Sequence, residues 1–138
     1  RVTQDFEYPL LSVQIRTWGH QYDPPDCINI RDGVVRDYNF ETYKDAIEQF
    51  LNSDTPPKTI FLTADVDSVL PEYLEYLKKY DVNVITYTQP ENITQMQYSA
   101  ASMLIASKCD MLVGCRLSTF AECIWWFGGC RAKTIPVF

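Results

Sequence analysis

Three short stretches of this sequence carry side chains suited to holding a phosphorylated ligand. In Val13-Gln-Ile-Arg-Thr17, Arg16 stands at the end of an apolar run, and its planar guanidinium can make paired charge-assisted hydrogen bonds to a diphosphate. Thr63-Ala-Asp-Val-Asp67 ends a second apolar run. One carboxylate there could accept paired N–H bonds from a nucleobase edge, or Asp65 and Asp67 together could hold a divalent ion that bridges a diphosphate. Asp67 is also well placed to cap a helix. The third stretch is Arg116-Leu-Ser-Thr-Phe120, where Thr119 and Glu122 have the spacing of a capping box and set a helix start at Ser118 or Thr119. A helix that begins directly after a strand presents unpaired N–H groups and the positive end of its dipole, and Arg116 adds a full charge. That combination favours phosphate, held by Ser118, Thr119 and the helix N–H groups, with Phe120 as a wall. His20, the sole histidine, could act as a base or touch the substrate.

For these residues to act together, strands must bring them to one place. Leu10–Ile15 reads as a first strand, followed by a long Pro-, Gly- and Asp-rich loop to about Asp37. Asn39 suits the N-cap of a first helix in which Phe40, Tyr43, Ile47, Phe50 and Leu51 share a face. Lys58–Thr63 is a second strand. Asp67 or Ser68 caps a second helix, with Pro71 in its first turn and Leu70, Leu74 and Leu77 inward. Val82–Thr86 is a third strand, and Ile93, Met96, Ala100, Met103, Leu104 and Ser107 trace the inner face of a third helix. A fourth strand, Asp110–Gly114, leads into the capped helix, and Lys133–Phe138 is a last strand, placed at an edge because Pro136 lacks a donor. Strand and helix alternate throughout, the pattern of an α/β, Rossmann-like, doubly wound parallel sheet of five strands with helices on both faces. With right-handed crossovers and the order 3-2-1-4-5, the first strand lies between the second and the fourth. Arg16, Asp65 and Ser118 then meet where the winding reverses.

The bulk composition narrows the ligand. The 138 residues are 46% hydrophobic and carry a net charge of −6, which fits one domain with a real core and no general attraction to nucleic acid. Phosphate recognition must be local. No apolar run nears the roughly 20 residues that span a bilayer. The chain has no initiator Met, so we read residues 1–138 as one domain of something longer. Five cysteines cannot all pair within one molecule, and no C-x-x-C spacing is present. They read as reduced, mostly buried thiols, which points to a reducing compartment.

The order of an Arg-bearing strand end, a "TDD"-like strand end and a late Asp-hydrophobic segment leading to Ser118-Thr119-Phe120 resembles the fucosyltransferase superfamily of α1,2-, α1,6- and protein O-fucosyltransferases. The likeness covers roughly Ser12 to Phe127. It implies a GT-B enzyme with two Rossmann-like domains that takes a GDP-sugar such as GDP-fucose and needs no metal, this chain being the donor half. Arg16 then matches the arginine at the β-phosphate, Asp65 the acid that reads guanine, and Ser118, Thr119 and Phe120 the segment around the donor phosphates. Gln14 stands where the family has His and Thr17 where it has a second Arg. Gln can bond a base edge but cannot carry a proton. The acceptor, glycan or protein, would belong to an absent N-terminal half. Two other readings stay open: a metal-dependent glycosyltransferase using Asp65 and Asp67, and a non-catalytic nucleotide- or protein-binding module.

Overall fold

A computed structural model describes residues 2–17, 30–31, 34–35, 39–116 and 118–137. Among these residues the strands are β1 (Leu10–Ile15), β2 (Ile30–Arg31), β3 (Val34–Val35), β4 (Thr59–Ala64), β5 (Asn83–Thr86), β6 (Met111–Cys115) and β7 (Lys133–Val137). The helices are α1 (Phe40–Leu51), α2 (Leu70–Leu77), α3 (Gln95–Ala106) and α4 (Thr119–Phe127). Five strands form one sheet in the order β5-β4-β1-β6-β7, with every pairing parallel. This is the expected doubly wound order, with β7 at an edge. Part of the expected long loop is instead a second, two-stranded antiparallel pair, β2 with β3.

Strand alternation sorts β1 between two cores. Leu11, Val13 and Ile15 face α1 and α2, packing with Tyr43, Ile47, Phe50, Tyr73 and Leu77. Leu10 faces α3 and α4, packing with Phe61, Leu112, Ala106 and Ile124. All six residues of β1 are buried, as a strand covered on both faces requires.

The helix starts confirm some expectations and correct others. Asn39 caps α1 by accepting from Glu41 N–H. α2 is not capped by an Asp67 or Ser68 side chain; a 3₁₀ turn at Asp67–Val69 runs directly into it, and Tyr73 joins Leu77 as its buried contact. α3 starts from a capping box of Thr94 and Gln97 that the sequence reading overlooked. Its expected inner face is also corrected: Met96 and Leu104 are exposed, at 82% and 51%, while Ser102 and Ala106 are buried. Apolar residues lie all around α3, so their spacing fixes no phase. At α4 the cap is Ser118, whose hydroxyl accepts from Ala121 N–H, rather than a Thr119 and Glu122 box.

Among the described residues Cys109, Cys115, Cys123 and Cys130 are free thiols. Burial pushes the Cys109 thiol up to about 11.

Candidate functional site

The site grows out of one row of the sheet. On the α3/α4 side, register places Thr63, Gln14, Gly114 and Pro136 side by side across the carboxyl ends of β4, β1, β6 and β7. The row beneath holds Phe61, Ser12, Leu112 and Thr134. The sheet thus loses its large apolar side chains just where the strands end, which leaves space that the helices do not fill.

α4 divides that space. Gly114 lets the helix sit directly on β6: an added Cβ there would lie 2.7 Å from Ala121 Cβ. On the inner side lies a polar crevice of about 550 Å³, lined by Gln14, Arg16, Thr63, residues 64–67, Gln89, Gln95, Tyr98, Ser99, Ser102 and Phe120. On the outer side lies a groove of about 480 Å³ lined mostly by Leu112, Ala121, Trp125, Ala132 and Pro136, with Arg116 and Glu122 also on its walls.

Gln14 ties the crevice floor to the helix start. Its amide Nε2 donates to Ile15 O at 3.0 Å, and its Oε1 accepts from Ser118 Oγ at 3.5 Å. Ser118 in turn accepts from Ala121 N at 3.4 Å, so one buried hydroxyl links β1 to the first turn of α4.

Arg16 is held from two sides. Its backbone N–H donates to the Tyr43 hydroxyl at 2.9 Å, and its Nη1 donates to Asp65 Oδ2 at 3.1 Å. Burial holds the Tyr43 phenol protonated well beyond its usual range. Asp65, on the crevice wall, accepts also from Thr17 N at 2.9 and 3.1 Å and from Thr17 Oγ1 at 3.0 Å. Both of its oxygens therefore carry donors already. Its own N–H donates to Ile15 O at 3.2 Å and extends the β1–β4 ladder by one bond.

The far wall comes from α3. Tyr98 donates to Tyr87 O at 2.6 Å and stacks on the Tyr87 ring at 5.2 Å. Burial, then the Asp67 charge, raises its pKa. Ser102 is 3% exposed, and its hydroxyl has no partner at hydrogen-bond distance. A buried hydroxyl in that condition carries a desolvation cost that a ligand could relieve.

The structure thus gathers Gln14, Arg16, Asp65, Asp67 and Phe120 at one crevice, with Ser118 joined through Gln14. It does not bring Arg116, which lines the outer groove and whose N–H donates to Val137 O at 2.7 Å. Thr119 is exposed at the first position of α4. His20 and Leu117 lie outside the described residues. No group of three or more His, Cys, Asp or Glu side chains that could hold a metal occurs among the described residues. Nor is any described helix long and apolar enough to cross a membrane. The residues that sequence reasoning missed are those of α3. Their signal was the polar series Gln95, Tyr98, Ser99 and Ser102, which recurs at helical spacing.

No protein-family model matches the sequence, and no curated protein matches it. Solved structures do. Protein O-fucosyltransferase 1 (POFUT1) in complex with GDP-fucose superposes with a TM-score of 0.66 at 15% identity, over 99% of this chain and 43% of that one. Its apo form gives the same values, and its GDP complex gives 0.64 at 16% identity, over 96% and 44%. The chain spans less than half the length of these structures. The likeness establishes the fold: a fucosyltransferase-like, Rossmann-like α/β unit of the kind that forms half of a GT-B protein.

Proposed function

We propose that this chain is the donor-binding part of a fucosyltransferase-like glycosyltransferase, taking a GDP-sugar of the GDP-fucose type in the polar crevice. The observation that carries this reading is the meeting of Arg16 with the start of α4 across Gln14, residues far apart in sequence that bring a guanidinium and a helix N-terminus to one crevice. The fold supports it, since a solved counterpart holds GDP-fucose.

In this reading the diphosphate lies between the Arg16 guanidinium and the first N–H groups of α4, with Ser118 and Thr119 beside it. Negative charge that develops on the departing diphosphate is stabilised there by groups fixed in advance. Phe120 walls the pocket, and the nucleobase lies toward Tyr98 and the unpartnered Ser102 hydroxyl. Gln14 orients and cannot act as a base. The general base and the glycan or protein acceptor belong to the other half of a GT-B enzyme. Charge compensation falls to Arg16 and backbone N–H groups, with no metal required.

A thermal-shift panel of GDP, GDP-fucose, GDP-mannose, UDP and UDP-glucose, with and without EDTA, tests it. A ligand at a hundred times its Kd stabilises the protein by about 2.7 kcal/mol. GDP and GDP-sugars should stabilise more than their uridine counterparts, and EDTA should change nothing. Loss of the shift in EDTA would favour a metal held by Asp65 and Asp67. Stabilisation by GDP without donor turnover in the complete polypeptide would favour a non-catalytic module. No shift with any of the five ends the proposal.

A further inference from the structure

We infer that Asp65 is a positioning residue for Arg16 and does not read the nucleobase, so that it governs affinity for the diphosphate part of the ligand alone. This rests on the donor-site reading above.

The argument is geometric. Asp65 follows β4 and faces the residues that follow β1, where it accepts from Arg16 Nη1, Thr17 N and Thr17 Oγ1, all within 3.1 Å. Its carboxylate is 8% exposed and the Arg16 side chain 19%, so this pair is shielded from the screening that weakens surface ion pairs. Three donors leave this carboxylate without the two free acceptor sites that paired N–H bonds from guanine would need. Arg16 meanwhile has its backbone fixed by Tyr43 from the α1 side and its guanidinium fixed by Asp65 from the β4 side. A cation so held spends little freedom when an anion arrives. Asp65 thus acts on the ligand only through Arg16 and the first residue of the following loop.

The test separates ligand parts. Affinities of the parent, Asp65→Asn, Arg16→Ala and the double variant are measured for GDP, inorganic pyrophosphate and guanosine. Asp65→Asn should weaken GDP and pyrophosphate by the same factor, about tenfold, since it costs one charged hydrogen-bond partner. Guanosine should bind as before, and the double variant should be no weaker than Arg16→Ala alone. A merely structural role would weaken all three ligands together and would overturn the inference. So would loss of guanosine and GDP binding with pyrophosphate spared, or losses that add. If the parent binds none of the three, the donor reading fails, and the clamp is then judged by urea unfolding of the same four proteins. Midpoint shifts that do not add uphold it, and additive shifts overturn it.

Discussion

The two hollows beside α4 share one row of the sheet and differ in almost everything else. Thr63 and Gln14 floor the inner one, Gly114 and Pro136 the outer one. The inner crevice gathers a buried amide, a clamped arginine and an unpartnered hydroxyl. The outer groove gathers Leu112, Ala121, Trp125 and Ala132. Their volumes are close, about 550 and 480 Å³, so size does not tell them apart. What differs is polar groups held in place before any ligand arrives, and these belong to the strand ends where the winding reverses.

The strongest way to break this contrast is to remove the arginine. Arg16→Ala should lower affinity for GDP by about 2–4 kcal/mol, on the scale of one or two charged hydrogen bonds. Trp125→Ala, in the outer groove, should leave GDP affinity as it was in the same titration. Equal losses would make the two hollows one site.

The partition itself depends on Gly114. Gly114→Ala sets a Cβ against Ala121, and overpacking of this kind costs about 1–3 kcal/mol. Urea unfolding should register that loss, and GDP affinity should fall with it as α4 is displaced.

A smaller effect is expected at the cap. Ser118→Ala removes the acceptor for Ala121 N–H and the hydroxyl bound to Gln14, so stability should drop by about 0.5–2 kcal/mol, read from the urea midpoint.

Smallest and opposite in sign is Ser102→Ala. Its hydroxyl has no partner, so removing it should leave the free protein as stable or stabilise it by up to about 1 kcal/mol while weakening GDP. Ser12→Ala is the matched control, because the Ser12 hydroxyl donates to Ala106 O at 2.8 Å and its loss should destabilise.

Much of the framework is legible in the sequence, since strands buried on both faces read as apolar runs and Asn39 and Pro136 punctuate them. The order β5-β4-β1-β6-β7 follows from alternation and crossover handedness, and it places Gln14, Arg16 and Phe120 together. Other features depend on direction, which spacing does not encode. Asp65 follows the end of β4, where the period of two no longer sets which way a side chain points, and it turned to Arg16 and Thr17. Arg116 stands two residues before the α4 cap, yet lines the far side of that helix. α3 carries apolar residues around its whole circumference, so its inward polar series was outweighed by Met96 and Leu104.

β1 has a further consequence, for synthesis. Its first neighbour begins at Thr59 and its second at Met111. At about 5–20 residues per second on a ribosome, a strand whose six residues are all buried in the fold waits several seconds for the partners that shelter both its edges. Guarding Leu10–Ile15 during that interval falls to whatever meets the nascent chain, and the crevice can close only after residue 118 has emerged.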